Sequence, residues 1–490
     1  MIERRRIHDF TVALVLAAAL AVPGVAPAQT RRAAAAVMAR AGRRTTSSDT
    51  ARMAAAEASR RSERPEVPGA EVVVLSLRDA VMRAADAPAV ALARLRVDEM
   101  DARSRQARAA LLPAIAATGG IVDQTLNRHA FGFEFPAFPG QPPIPDLIGP
   151  FSIYDARVHL RQPLLDLAAW KRLGAAGAGL DAAEAEAAVA VEAAAYGAAV
   201  AYLTAIRDAA RLSARRADAD LASQLRELAR AQLDAGVATA LDVIRARSEE
   251  AAARSRVREA ESQARRSEIA LARALGLDPM VRFTFTDSLG PALGASDADA
   301  RQDAALALAR RRRPELRAQA AREAGFRDAR AAIRAERLPR VEVVADYGWT
   351  GPRADDVLGT RQVGVQVAIP LLDGLGRKAR LNEQDARLRA AEVREDDLIR
   401  RIEAEIASAI VALDAAEDRQ AIAGERLDLA GQALEQARRR FTSGIAGNIE
   451  LIDAQATLNR ARDARIDADY AAAVARIELA RAAGVASTIH

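Results

Sequence analysis

Four short stretches of the chain alternate apolar and polar residues with a period of two. A period of two places the apolar side chains on one face of a β-strand and the polar side chains on the other. The sequence therefore predicts two pairs of strands, within 114–163 and within 340–370, that separate an apolar environment from a polar one. The alternating stretches are 340–349, 361–370, 152–160 and, least clearly, 114–125.

Strands of this kind are compatible with two structures. Strands of about ten residues with one apolar and one polar face are typical of a transmembrane β-barrel, which has lipid outside and water inside. A soluble sheet with one face buried produces the same pattern. Four strands are too few to close a barrel within one chain, so they form either a small sheet or a barrel shared between chains.

Long helices are predicted outside the strand pairs. One helix is expected over 76–111 and another over 303–337, and Pro113 and Pro339 end them because proline cannot continue a helix.

After each strand pair the chain enters a much longer helix, over 165–233 and over 372–441, without any proline. At 1.5 Å per residue, each of these helices is on the order of 100 Å long. A glycine turn follows near Gly236 and near Gly444, and a second helix returns. An apolar seam with steps of three and four residues indicates coiled-coil packing near the second turn. The seam consists of Leu427, Ala430, Leu434, Ala437 and Phe441.

The two halves of the chain repeat each other. The motif PLLD occurs at Pro163 and again at Pro370, and the sequence around the first glycine turn recurs 208 residues later around the second. Because the repeated features keep the same order, we interpret them as two structural repeats, 71–280 and 303–485. A linker, 281–302, joins them.

Composition supports a mainly α fold with a small β part. Half of the residues are hydrophobic but only 3% are aromatic, and much of the apolar content is alanine. Alanine favours helix and fills little volume, so the chain is suited to long, closely packed helices rather than to one thick core.

The beginning of the chain predicts export. Residues 1–28 combine a basic start, an apolar stretch of about a dozen residues and an Ala-Pro-Ala cleavage site, as a signal peptide does. Residues 29–70 contain few large apolar residues and are expected to be a disordered tail. The net charge of +5 is concentrated in these first 70 residues, which argues against a nucleic-acid-binding face on the folded part.

No constellation of residues predicts an enzyme. The chain has no cysteine, and its four histidines are scattered, so no metal site, cofactor site or catalytic site is expected. Glu450 and Asp453 lie three residues apart after the second glycine turn. They could form a catalytic pair or a metal site, but acidic residues also favour the first turns of a helix, and this is the simplest interpretation.

The order of these features resembles the TolC-like family of outer-membrane channels, which serve efflux pumps and type I secretion systems. The resemblance covers roughly 71–485 and depends on the duplicated halves, the Leu-Pro step before each strand pair, the PLLD step after it, and the turns near Gly236 and Gly444.

The resemblance implies a homotrimer in the outer membrane. Each chain would give four strands to a shared 12-stranded transmembrane β-barrel and its long helical hairpins to a periplasmic α-barrel. Such a protein is a passive exit duct in contact with outer-membrane lipid, gated at its periplasmic helical tips. It works with a periplasmic adaptor (membrane fusion) protein and an inner-membrane transporter of the RND or ABC type, and no nucleic acid is involved. The alternative is an exported periplasmic coiled-coil structural or adaptor protein without a pore.

The resemblance also assigns candidate site residues. Glu450 and Asp453 match two acidic positions that ring the pore constriction, so a trimer would have up to six carboxylates there. The periplasmic gate would consist of Phe441, Gly444, Ala446, Asp242 and Gly236. Phe441 and Ala446 stand where the best-known member of the family has a Tyr and an Arg that latch the closed entrance, so that latch is missing here.

Overall fold

The computed structural model describes residues 72–132, 145–290, 293–443, 445 and 447–489. The predicted signal peptide and tail, together with Gly444 and Ala446, lie outside the described residues. Within them, the fold is mainly α with a small β part, as predicted from the sequence. The chain divides into a sheet unit, formed mainly by 113–162 and 342–366, and a helical unit that contains the remaining described residues.

The elements follow one another in the order of two similar halves. The first half contains β1 (Val72–Leu75), α1 (Leu77–Arg83), α2 (Pro88–Ala109), β2 (Ala114–Asn127), β3 (Leu147–Leu165), α3 (Leu167–Asp234) and α4 (Ala240–Ala274). The second half contains β4 (Arg282–Phe285), α5 (Gln302–Arg312), α6 (Pro314–Ala335), β5 (Arg340–Arg353), β6 (Asp356–Ala368), α7 (Gly376–Thr442) and α8 (Asn448–Ala483). Short 3₁₀ turns occupy Ala84–Asp86, His129–Phe131 and Ala486–Thr488.

The sheet unit has four strands in the order β2-β3-β5-β6. Strands β2 and β3 are antiparallel, and opposite partners on neighbouring strands share one face. Ile115 opposite Leu160, Ala117 opposite Val158 and Gly119 opposite Ala156 give that face an apolar character. The predicted alternation therefore corresponds to a real division between two faces.

The other face of the sheet is polar. Arg157 of β3 forms an ion pair with Asp346 of β5 and donates a hydrogen bond of 3.3 Å to Thr360 of β6. Its neighbour on the same face, Asp155, accepts a bond of 3.0 Å from the same guanidinium group. His159 lies 3.0 Å from Thr118 across the β2–β3 pair. All four strands thus contribute charged or polar groups to this face.

The first helix of each half is divided, where the sequence analysis expected one continuous helix. Pro88 begins α2 and Pro314 begins α6, each at the first helical position. Proline has no N–H to donate and excludes the helical conformation from the residue before it. Ala87 and Arg313 accordingly adopt extended backbone conformations, with ψ of 147° and 114°.

A second, two-stranded sheet lies in the helical unit and was missed by the sequence analysis. Strand β1 pairs in parallel with β4, which belongs to the segment interpreted as a linker. Asp287 follows β4 and accepts bonds of 2.7 Å from the backbone N–H of Leu77 and 2.8 Å from the Tyr202 hydroxyl. The Tyr202 hydroxyl also lies 3.0 Å from the carbonyl of Leu75. Burial raises the pKa of Tyr202, so the phenol remains a hydrogen-bond donor.

One segment of α3 is long and apolar enough to cross a membrane, with a mean hydropathy of 1.6. The same helix packs into the main core of the helical unit through Tyr202, Leu203 and Ile206. A core helix of a protein has the same composition, so this hydropathy is weak support for a membrane span.

Candidate functional site at the helical tips

The first tip joins α3 to α4 through a left-handed glycine. Gly236 has φ of 77°, a conformation that other residues rarely adopt, and its N–H donates to the carbonyl of Leu233 at 2.9 Å. The N–H of Val237 reaches back to the carbonyl of Gln232 at 2.9 Å. These bonds satisfy carbonyl groups at the end of α3, so the turn is a stable C-terminal cap.

Asp242 takes part in starting α4. Thr239 accepts a bond of 3.3 Å from the Asp242 N–H, and the Asp242 carboxylate accepts bonds of 3.0 Å and 2.6 Å from the N–H and hydroxyl of Thr239. This reciprocal arrangement is a capping box. The hydrogen bonds from Thr239 lower the pKa of Asp242, so the carboxylate is ionised over a wide pH range.

The second tip joins α7 to α8, and Phe441 holds it together. Phe441 is 5% exposed and belongs to an apolar cluster with Leu225 of α3, Leu434 of α7 and Leu451 of α8. Most of the seam predicted from the spacing of three and four is therefore buried here. The side chain of Gln232 donates to the carbonyl of Phe441 at 3.3 Å, which links the end of α3 to the end of α7.

The two candidate constriction residues have different surroundings. Glu450 forms an ion pair of 3.0 Å with Arg440, and both side chains are about half exposed. Asp453 is exposed, and within the described ranges its carboxylate has no ion-pair partner. The structure thus leaves one uncompensated carboxylate per chain at this level, where the sequence alone suggested two.

The residues around this site do not resemble a catalytic or metal centre. In the described part of the chain, no group of three or more His, Asp or Glu side chains is placed to hold a metal ion. Glu450 and Asp453 lie at the surface of α8. The buried cluster close to them, which contains Phe441 and Leu451, is apolar.

A buried charge network above the tip was missed by the sequence analysis. Asp218 of α3 is 1% exposed and accepts bonds of 3.0 Å from Arg215 and 2.8 Å from Arg462 of α8. Arg215 also pairs with Asp463 of α8. Burial raises the pKa of Asp218, while the hydrogen bond and charge of Arg462 oppose that shift. The network fastens α8 to α3.

Spacing in the sequence could not reveal this network. The partners lie 244 residues apart, and each charged residue alone has the pattern of an exposed helix position. The only local sign is the pair Arg215 and Asp218, three residues apart, which is also typical of a solvent-exposed helix face.

A groove of about 1400 Å³ lies beside the network and the apolar cluster. Helices α3 and α7 form its walls, and Leu458 and Arg462 of α8 contribute to its lining. The groove carries charges of both signs. Its charged side chains are Asp220, Asp428, Glu435, Arg439 and Arg462.

Comparisons with known proteins agree with this architecture. The family described as "Outer membrane efflux protein" matches residues 82–277 and 305–485, and each matched segment lies within one of the two predicted repeats. No curated protein matches the sequence.

Solved structures of outer-membrane channels share the fold. The Campylobacter jejuni CmeC channel has a TM-score of 0.72 and 15% identity, with 84% of this chain and 86% of that chain covered. VceC from Vibrio cholerae has a TM-score of 0.68 and 19% identity, with coverages of 83% and 96%. The channel OprN has a TM-score of 0.67 and 21% identity, with coverages of 83% and 89%.

The resemblance noted in the sequence is thereby confirmed, and the family match covers well over half of the chain. The chain belongs to the outer membrane efflux protein family and is located in the outer membrane.

Proposed function

We propose that three copies of this chain form a passive channel, the exit duct of a tripartite efflux pump or type I secretion system. The observation that carries this proposal is the four-stranded sheet, whose outer strands β2 and β6 have no second neighbour within the described residues. Every residue of β2 is exposed in the single chain. Unpaired edges are costly in a membrane, and pairing β6 of one chain with β2 of the next would close a barrel of 12 strands.

The two faces of the sheet support the same arrangement. The apolar face around Ile115 and Val158 suits lipid, and the polar face around Arg157 and Asp346 suits a water-filled lumen. A periplasmic coiled-coil protein without a pore would need neither face. We therefore favour the channel over that alternative.

The helical tips would form the periplasmic entrance. In a trimer, three copies of Asp453 would surround the pore, with three Arg440–Glu450 pairs beside them. The uncompensated carboxylates would concentrate cations and repel anions at the constriction. The buried contacts of Phe441 would hold each tip together without the latch of the best-known relative.

Partners would supply the energy and the substrate. The groove between α3 and α7 suits the helical hairpin of a periplasmic adaptor, since its polar and charged lining can hydrogen-bond to the polar face of a helix. An inner-membrane transporter of the RND or ABC type would drive transport through the duct.

Two measurements test this proposal. The chain has no native cysteine, so single cysteines placed along β2 and β6 should crosslink the detergent-solubilised protein into trimers only when both edges carry one. Variants with one cysteine serve as controls. The purified protein should also conduct ions in planar bilayers. A monomer that neither crosslinks nor conducts would refute the channel.

A further inference from the structure

Only two lysines occur in the chain, against 69 arginines, and they occupy equivalent positions in the two repeats. Lys171 and Lys378 each lie eight residues after the proline of a PLLD motif, at Pro163 and Pro370. Arginine fills nearly every other cationic position. Lysine thus occurs at the same position after both PLLD motifs and nowhere else in the chain.

Exposed apolar side chains precede both lysines. We name the two segments 164–171 and 371–378 the collar. Leu371 and Leu372 are 90% and 89% exposed, and Leu375 is also exposed. In the first segment Leu164 and Trp170 are exposed. Contiguous apolar side chains of this size in water mark a surface that contacts another apolar phase or molecule.

Both segments lie at the same end of the helical unit. Lys171 pairs with Asp328 of α6 at 3.2 Å, and Arg380, close to Lys378, pairs with Glu336 just after α6 at 2.6 Å. Asp328 and Glu336 are eight residues apart, which is about 12 Å along a helix. Both collar segments therefore lie beside the second half of α6, about 12 Å apart along its axis.

The backbone at Leu375 is strained in a way that exposes a leucine. Leu375 has φ of 68°, and it is the only described residue other than glycine with a positive φ. A left-handed conformation is a genuine outlier for a bulky residue, whereas glycine adopts it freely. A glycine would relieve the strain, but the chain has a leucine that points to solvent.

We propose that the collar binds the phospholipid headgroup layer of the outer membrane. The leucines would enter the boundary between headgroups and acyl chains, and the lysine ammonium groups would bind lipid phosphates. Lipid is the occupant because the collar continues directly from strands with an apolar face, in a protein of the outer membrane. Tryptophan and lysine beside leucine are typical of such interfaces.

The choice of lysine fits this role. Its ammonium is strongly hydrated and sits on a flexible four-carbon stem, so the charge stays in the headgroup layer while the stem lies along apolar surface. Lys378 is exposed and forms no ion pair of 4.0 Å or less within the described residues. Near an anionic surface, each lysine strengthens binding about fivefold.

Tryptophan fluorescence gives a direct test. The chain has two tryptophans, so the Trp349→Phe variant retains only Trp170 as a reporter of the first collar segment. Reconstituted into vesicles with brominated lipids, Trp170 should be quenched more by bromines near the glycerol than by bromines near the chain ends. Brominated phosphatidylglycerol should quench about fivefold more effectively than brominated phosphatidylcholine at equal low mole fraction.

Charge variants identify the groups responsible. Lys171→Gln should remove most of the preference for phosphatidylglycerol, and Lys171→Arg should retain it. Arg438→Gln makes the same change of charge about 90 Å away along the chain's helices and should have no effect. In a variant that lacks both native tryptophans, Leu372→Trp provides a fluorescent reporter of the second collar segment. Leu375→Gly should reduce its quenching without lowering thermal stability.

The outcomes separate this inference from the channel itself. An inserted, conducting trimer whose Trp170 is not quenched would show that a neighbouring protein covers the collar, and would overturn the inference alone. Equal quenching by the two lipids, or loss of the preference in Arg438→Gln, would refute the role of Lys171. A quenched protein that does not conduct would contradict the channel but not the collar.

Discussion

The charge at the proposed constriction leads to a prediction about ion selectivity. Because Glu450 is paired with Arg440, the net charge of these groups is −1 per chain and −3 in a trimer, all of it from Asp453. Asp453→Asn should therefore remove the net negative charge, and with it the electric field that attracts cations to the constriction. The double variant Arg440→Gln with Glu450→Gln should leave the net charge, and hence the selectivity, almost unchanged.

The size of the effect follows from Coulomb's law. A carboxylate about 10 Å from the pore axis contributes roughly 0.4 kcal/mol to the energy of a monovalent ion in water. Three such charges contribute about 0.5 kcal/mol at 0.1 M salt, where the Debye length is about 10 Å, and about 0.9 kcal/mol at 0.01 M. Asp453→Asn should thus reduce the local cation concentration about twofold at 0.1 M and four- to fivefold at 0.01 M.

Reversal potentials across planar bilayers, measured in a salt gradient at both ionic strengths, give the selectivity of each variant. Arg440→Gln alone should increase cation selectivity, because it releases the charge of Glu450. If Asp453→Asn leaves the reversal potential unchanged, Asp453 does not lie at the constriction. If the double variant loses as much selectivity as Asp453→Asn, the ion pair does not persist in the assembled pore.

The other contacts of the tips predict changes in local stability. Phe441→Ala should destabilise the second tip by about 3–5 kcal/mol, visible as faster hydrogen exchange at the ends of α7 and α8, whereas the exposed Ile445→Ala should not. Asp218→Asn should cost about 3–5 kcal/mol by leaving Arg462 without its buried partner, and unchanged thermal unfolding in detergent would contradict this. Asp242→Asn should weaken the start of α4, because it replaces the ionised acceptor of the capping box by a neutral amide. Because the native pKa of Asp242 is lowered, its contribution is present above the ordinary aspartate pKa of 3.8 and disappears as pH falls below the native pKa, so exchange rates of variant and parent should converge in acid.

The sequence predicted the features that repeat or follow a period. Alternation located all four strands of the main sheet, and the seam ending at Phe441 predicted the packing of α7 near the second tip. These predictions succeed because the period of two in a strand, or of three and four in a helix, depends only on residues that are close together in the sequence. The capping role of Asp242 also has a local sign, the Thr-x-x-Asp spacing from Thr239, which the analysis overlooked.

Features that join distant segments could not be predicted in the same way. Burial of Asp218 depends on Arg462, which lies 244 residues later in the chain. In helices so rich in alanine and arginine, every face contains charges, so periodicity does not distinguish a buried acid from an exposed one. The breaks at Pro88 and Pro314 were a different kind of miss, since proline at the first helical position can be recognised locally.

The pairing of β1 with β4 has a consequence for how the chain folds. Residues 72–75 have no strand partner until 282–285 are available, and Asp287 must arrive before the N–H of Leu77 and the hydroxyl of Tyr202 find their acceptor. Strand β1, at the start of the first half of the chain, thus pairs with a strand of the segment that leads into the second half. Contacts across about 210 residues form late, because the entropy of closing so long a loop is lost before the contact is gained. A chain truncated after α4 would keep both helices of its first hairpin and still lack the strand that pairs with β1.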